Sequence, residues 1–250
     1  MKLHEGYEKR PGSIYFLDCE DTPLTEAEAT YYLKEAWRKI YGEYPSLDSL
    51  ALLWAQSAGE TGRWKSLRNY NWGNIKRLKD GYWTSYVAGE VIRGRHQMFY
   101  PYHPETYFAA WKTALEGAEG YIRFLSTRQR YRLAWEEIRK GDPVAYCTEL
   151  KLAGYFTADL GHYTRGVVSL VKEFKNRSEE LVTYHPPIKD IEVEVKIERF
   201  EKVKSLEAGQ EEESKEKEQV ALTLKPSIRA HIFNFIINFI KKIASLMKLK

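Results

Sequence analysis

The sequence predicts an α+β domain, predominantly α, with one small β insertion, followed by a charged linker and a C-terminal amphipathic helix. Three observations carry this expectation. Apolar residues recur at helical spacing behind N-capping signals from Thr25 to Phe174. Strand-forming residues cluster with glycines between 79 and 111. All seven Trp and all eighteen Tyr lie at or before Tyr184. A chain that stops using large aromatics has stopped building a core, so the globular domain is expected to occupy 1–185, with Pro186 and Pro187 at its boundary.

Thr25-Glu26-Ala27-Glu28 has the form of a capping box, and Tyr32, Leu33, Ala36, Trp37 and Ile40 repeat at helical spacing behind it. They predict a helix over 26–41, ended by Gly42 and Pro45. A second helix starts after Ser46, with Leu47, Leu50, Ala51, Trp54 and Ala58 on one stripe. Glu60 falls in its last turn, and Gly59 and Gly62 stop it. Tyr82 to Val87 and Val91-Ile92, around Gly81, Gly89 and Gly94, predict a short hairpin or irregular β segment. Thr113-Ala114-Leu115-Glu116 reads as another capping box, followed by Ala118, Tyr121, Ile122 and Leu125. Asp142-Pro143 is an N-cap with Pro at the first helical position, and Gly154 closes that helix. The last domain helix carries Tyr163, Val167, Leu170, Val171 and Phe174. No internal repeat is present.

Beyond Pro187, Ile191, Val193, Val195 and Ile197 alternate with charged residues, which fits either one strand or a solvated linker. Residues 201–219 hold seven Glu and four Lys with almost nothing apolar, the composition of a disordered segment or a lone charged helix. From Ser227, a polar stripe (Ser227, His231, Asn234, Asn238, Lys241, Ser245, Lys248) runs along an otherwise apolar segment, predicting a cationic amphipathic helix over 226–250. It is too interrupted for a spanning segment and suits an anionic bilayer surface. The competing reading docks it on its own domain or on a partner subunit.

The formal charge is +4, but 226–250 contribute Arg229, Lys241, Lys242, Lys248 and Lys250 with no acid, leaving about −1 for 1–225. The body therefore has no electrostatic footprint for nucleic acid. Cys19 and Cys147 do not make a disulfide framework, and no apolar stretch opens the chain as a signal peptide would, so synthesis in a reducing compartment is expected. The six His show no metal-ligand spacing, no phosphate loop is present, and no cofactor or metal is expected. Cys147 lies within an amphipathic helix and reads as a buried structural thiol.

The segment that carries chemistry is Trp54 to Arg63 followed by Asn71-Trp72-Gly73-Asn74-Ile75-Lys76. Glycosidic hydrolysis needs a carboxylic acid that stays protonated near neutral pH, and usually a second carboxylate or a substrate acetamido group to stabilise the oxocarbenium-like transition state. Burial against aromatic rings raises a carboxyl pKa. Glu60, with Trp54, Trp64 and Trp72 close in sequence, is placed for such a shift, although by itself it also reads as the end of an amphipathic helix.

This stretch resembles the glucosaminidase branch of the lysozyme superfamily, whose members pair A-Q-x-A-x-E-[ST]-G on a helix with a downstream N-N-x-[FW]-G-N-I-K loop. Here these read Ala55 to Gly62 and Asn69 to Lys76. Tyr107-Phe108-Ala109-Ala110-Trp111 is similar to the family's F-R-A-[YF] segment before a helix. Ala153-Gly154-Tyr155-Phe156-Thr157-Ala158-Asp159 with Tyr163 is similar to its A-G-Y-x-T-D-x-x-Y close. Gly59 stands where a larger residue is usual, and Ala109 replaces the arginine of F-R-A.

The resemblance implies a lysozyme-like fold and a hydrolase acting on the β-1,4 bonds of the peptidoglycan glycan strand, as N-acetylglucosaminidase or muramidase. It implies Glu60 as the catalytic acid and Tyr155 as a catalytic-site residue near the scissile bond. Asn71, Trp72 and Asn74 would shape the sugar cleft, and Tyr163 would contact substrate. Core packing for Tyr155 and loop-building for Asn71 and Asn74 stay open beside those roles. The second carboxylate is Glu90 if Glu90-Val91-Ile92-Arg93-Gly94 matches the family's hairpin; in another register Ser85 takes its place. Delivery to the cell wall by a holin, a virion or a secretion device follows as an expectation. The alternative from a different class is a non-catalytic glycan-binding or membrane-anchored structural component retaining the cleft. Oligomeric state is left open.

Overall fold

The structure is a computed structural model in which residues 10–92 and 95–186 are described. The chain divides into units at Pro186–Pro187; the expected linker beyond Pro186 and the helix at 226–250 lie outside the described residues. The described part is mostly helical, with short antiparallel β pairs between its second and third helices.

Helix α1 (Glu26–Tyr41) opens on the capping box that its sequence announces. Thr25 Oγ1 accepts the Glu28 N–H at 3.2 Å, and Glu28 Oε2 accepts the Thr25 N–H at 2.7 Å. Helix α2 (Leu47–Glu60) is capped by Ser46, which accepts the Ser49 N–H. Every residue from Ser49 to Ala58 is buried, so α2 runs through the middle of the domain and needs cover on all sides. That cover comes from α1, from α4 (Arg132–Lys140) and from α6 (Leu160–Asn176).

At the end of α2 the chain turns through Arg63 and Trp64, both at φ 57°, and drives Trp64 back into the core. Trp54, Trp64 and Trp72 pack edge to face with centroids 5.1 and 6.2 Å apart, and Phe174 of α6 lies 5.4 Å from Trp54. Their indole N–H groups are satisfied within the core: Trp64 donates to Ser57 Oγ and Trp72 to the Ala114 carbonyl. Arg63 then fastens this turn to α1 and α6, donating to Glu26 at 2.7 Å and to Glu173 at 2.6 Å.

Where the sequence predicts a short hairpin or irregular β segment, the structure has two antiparallel strand pairs. Strand β1 (Trp83–Ser85) pairs not with its neighbour in sequence but with β4 (Tyr107–Ala109), in the register Trp83↔Ala109 to Ser85↔Tyr107. The insertion is thus zipped at its base, and β2 (Ala88–Ile92) and β3 (Arg95–Phe99) form a second hairpin inside it, with Glu90 opposite Gln97. Tyr107-Phe108-Ala109, expected only as a lead-in to a helix, is the closing strand.

Helix α3 (Ala114–Ser126) is capped by Thr113, which accepts the Glu116 N–H, while the Glu116 carboxylate accepts the N–H of Lys112 one residue upstream. Helix α4 was absent from the sequence expectation, as was the short α7 (Ser178–Val182). α5 (Pro143–Leu152) starts on Asp142 as expected, and Gly154 (φ 68°) follows its end. α3 crosses the 69–72 loop at Gly117, where an added Cβ would sit 2.2 Å from the Tyr70 carbonyl oxygen and 2.8 Å from Trp72 Nε1.

That contact sets a prediction. Gly117→Ala should destabilise the domain by about 1–3 kcal/mol despite alanine's better helix propensity, because backbone must move to admit the methyl. Urea unfolding measures this; an unchanged or raised midpoint would show that α3 and the loop are not in contact there.

Candidate active site

Glu60 is the last residue of α2, where a helix too apolar to leave the core reaches the surface. Its side chain is half-buried, and Tyr163 from α6 donates its hydroxyl to Oε1 at 3.0 Å. Gln56, one turn earlier on the same face of α2, lies beside the carboxyl, and Tyr121 of α3 donates to Gln56 Oε1. Tyr155, just after α5, donates to the Gly73 carbonyl at 2.8 Å, and Asn74 donates its amide to the backbone carbonyl of Glu60. Tyr163 and Gln56 thus reach the carboxyl itself, while Tyr121, Tyr155 and Asn74 hold the groups around it.

Burial pushes the Glu60 carboxyl up from 4.5 to about 7, and the hydrogen bonds from Tyr163 and the Gln56 amide pull it only partly back. The C-terminal end of a helix, with its partial negative charge, also disfavours a carboxylate. The surrounding phenols are themselves raised by burial and by the nearby Glu60, so Tyr121, Tyr155 and Tyr163 stay neutral donors. The product is a carboxylic acid that is substantially protonated at neutral pH and opens onto a groove between α2 and α6. Such a group can donate a proton to a leaving oxygen.

The residues named from sequence separate into those at this site and those beneath it. Glu60, Tyr163, Tyr155 and Asn74 come together. Asn74 sits at φ 48°, is exposed, and accepts from the Tyr86 hydroxyl at 3.4 Å. Asn71 is a fold residue: it is buried, donates to the Ile75 and Ala109 carbonyls and accepts the Ile75 N–H, which ties the loop to β4. Trp72 has 0% exposure, so it is a core side chain and cannot wall a cleft. Of the two roles open for Asn71, its bonds serve the loop-building one, and Trp72, expected at the cleft, packs in the core instead.

Glu90 has its backbone in β2, while its side chain lies outside the described residues. Ser85, the other register's choice, is buried on β1 and shares a 2.8 Å hydrogen bond with Thr106. Cys147 is buried, and burial pushes its thiol up to about 11, the behaviour of a structural cysteine. Among the described residues no group of three or more His, Cys, Asp and Glu is placed to hold a metal ion.

Sequence reasoning missed Gln56, Tyr121 and Phe156 as parts of the site. Phe156 stacks on Tyr163 with centroids 3.8 Å apart and steadies the ring that holds Glu60. Gln56 carried a signal in its spacing, four residues before Glu60 and so on the same helix face. Tyr121 carried none, since it looks like any buried residue on the α3 stripe.

No protein-family model matches the chain, and no curated protein matches it. Among solved structures it is similar to a peptidoglycan hydrolase mutant from Sphingomonas sp. A1, at 20% identity and TM-score 0.45, over 62% of this chain and 92% of that one. It is also similar to a C-terminally truncated glycoside hydrolase domain from Salmonella typhimurium FlgJ, at 19% identity and TM-score 0.42, over 60% and 98% of the two chains. A third is the catalytic domain of the autolysin Auto from Listeria monocytogenes, at 19% identity and TM-score 0.44, over 62% and 88%.

The raised pKa of Glu60 has a consequence for stability. Between 4.5 and about 7 the folded state holds a proton that the unfolded chain has released, so this group lowers stability as pH rises through that window. Below the window it contributes nothing. Glu60→Gln should therefore gain stability relative to wild type between about pH 4 and pH 8, by on the order of 1–3 kcal/mol. Urea unfolding of both proteins at the two pH values tests this, and a difference independent of pH would contradict the shift.

Proposed function

We propose that this protein is a peptidoglycan hydrolase that cleaves β-1,4 glycosidic bonds of the cell-wall glycan strand, as N-acetylglucosaminidase or muramidase. The observation that carries the reading is Glu60: a carboxyl raised to about 7 by burial, held by the Tyr163 hydroxyl, and open to a groove. The resemblance of Ala55 to Gly62, Asn69 to Lys76 and Ala153 to Tyr163 to the glucosaminidase branch of the lysozyme superfamily supports the same reading.

In this mechanism protonated Glu60 gives its proton to the glycosidic oxygen as the C–O bond breaks. The positive charge that develops on the sugar is stabilised by Glu90, or by the acetamido group of the substrate itself, and water supplies the oxygen of the new reducing end while giving one proton back to the Glu60 carboxylate. Tyr163 keeps the Glu60 carboxyl in one orientation. Tyr155 fixes the Gly73 carbonyl and with it the loop that ends in Asn74.

The proposed site of action is the bacterial cell wall, with delivery by a holin, a virion or a secretion device as part of the same proposal. The segment 226–250, cationic and amphipathic in sequence, engages an anionic membrane surface beside the wall.

Purified wall incubated with wild type should release reducing sugar, and Glu60→Gln should lower the rate by at least a hundredfold. Equal release from both would exclude Glu60 as the acid, and no release from either would favour the non-catalytic glycan-binding reading. Deleting 226–250 should leave hydrolysis of isolated wall unchanged and reduce co-sedimentation with anionic liposomes. Undiminished liposome binding would exclude the membrane role.

A further inference from the structure

Two cavities, of about 360 and 330 Å³, share one wall, the side chain of Trp111. The first is bounded by residues between Phe16 and Thr22 and by Tyr70, the second by Tyr82 and one face of α3. Neither shares a residue with the groove beside Glu60. The fold keeps them apart from the acid. On α3 the stripe Ala118, Tyr121, Ile122 and Leu125 is buried, and Tyr121 reaches Gln56, whereas Glu116, Gly120 and Arg123 on the other face line the second cavity. The pairing of β1 with β4 separates them in the same way. Tyr82 precedes one end of β1 and Tyr86, which bonds Asn74, follows the other, about 13 Å along an extended chain.

Trp111 is seated firmly but not enclosed. Its backbone N–H donates to the Asn69 carbonyl at 2.9 Å, and its indole lies so close to α3 that a Cβ at Gly120 would come within 2.4 Å of Cε2 and Cζ2. Gly120 has no positive φ, so this seat is the reason for a helix-weakening glycine there. The ring is only half-buried, and its Nε1–H donates to no group among the described residues. The core indoles of Trp64 and Trp72, by contrast, have their acceptors.

The charges around the two cavities are largely compensated within the protein. Asp18 is paired with Arg10 at 2.8 Å and Glu119 with Lys39 at 2.6 Å, while the Glu116 carboxylate accepts the Lys112 N–H. One exposed carboxylate per cavity, Glu20 in the first and Asp80 in the second, has no ion-pair partner among the described residues. Between them Lys112 stands with its Nζ 4.3 Å from the centre of the Tyr82 ring. An anion would be repelled by the two carboxylates, and a cation between them would meet the ammonium. Three half-buried rings (Tyr70, Trp111, Tyr82), an indole donor and two carboxylate acceptors suit a neutral ligand that offers C–H faces to the rings and hydroxyls to the polar groups. Each cavity lies at the low end of ligand-pocket volumes, with room for one sugar ring.

We propose that the two cavities form a second glycan-binding site, remote from Glu60, with one β-1,4-linked sugar ring on each side of Trp111 and with Glu20 and Asp80 accepting hydrogen bonds from hydroxyls. The choice of this glycan rests on the hydrolase reading. A polymer held at two places leaves more slowly than one held at the acid alone, so the site keeps the protein on the wall between cuts.

The test reads binding at Trp111 itself. In full-length Glu60→Gln, the indole N–H resonances are followed by NMR as the β-1,4-linked N-acetylglucosamine disaccharide is added, Trp111 being assigned through Trp111→Phe. The Trp111 resonance should shift saturably, while those of Trp64 and Trp72, with 0% exposure, should stay in place. The monosaccharide should bind at least tenfold more weakly than the disaccharide. Glu20→Ala and Asp80→Ala, both at exposed positions, should each weaken disaccharide binding at least threefold. A Trp111 resonance that does not move would overturn the site. Equal affinity for one ring and two, or full affinity in either alanine variant, would overturn the arrangement of one ring per cavity. Release of reducing sugar by the wild type decides the hydrolase reading separately: release without a Trp111 shift removes the second site alone, and a shift without release leaves the site on a non-catalytic glycan binder.

Discussion

The structure depends on the complete burial of α2. A helix whose residues from Ser49 to Ala58 are all inaccessible must be wrapped, and the wrapping determines where α1, α4 and α6 lie. It also determines the chemistry, because the helix can expose only its ends and Glu60 is one of them. The carboxyl leaves the core among phenols, short of full hydration and at the negative end of the helix, so its neutral form is favoured.

The loop after α2 does the corresponding work on the other side of the carboxyl. Asn69, Tyr70 and Asn74 occupy positive φ at 43°, 51° and 48°, a conformation unfavourable for residues with a Cβ, though asparagine tolerates it better than most. The strain is offset by contacts that saturate the loop: Asn71 bonds two carbonyls and one N–H, Trp72 fills the core, and the Tyr70 carbonyl abuts Gly117. Much of what reads in sequence as a sugar-binding motif is therefore the machinery that holds Asn74 and the Gly73 carbonyl in place. The site is small, and its support is extensive.

This division explains what was legible in the sequence. Helices α1, α2, α3, α5 and α6 follow from local rules, capping residues and apolar spacing within one segment, and each starts within a residue or so of its signal. Helix α4 escaped that reading although Tyr131, Ala134, Trp135 and Ile138 sit at helical spacing and are buried, because it lacks a side-chain cap and its mean composition is polar. The pairing of β1 with β4 was not legible, because strand propensity is local and says nothing of a partner beyond an intervening hairpin. Nor does sequence tell a tryptophan facing a cleft from one facing the core, and Trp72 faces the core. Gln56 and Tyr121 belong to the site only through tertiary packing.

The central claim is that burial keeps Glu60 protonated near neutral pH while Tyr163 limits the shift. Its most direct test is an NMR titration of the Glu60 side-chain carboxyl carbon in the wild type and in Tyr163→Phe. The account predicts a midpoint near 7 in the wild type and a higher one in the variant, since the hydroxyl that favours the charged form is gone. A wild-type midpoint near the ordinary glutamate value of 4.5 would contradict it.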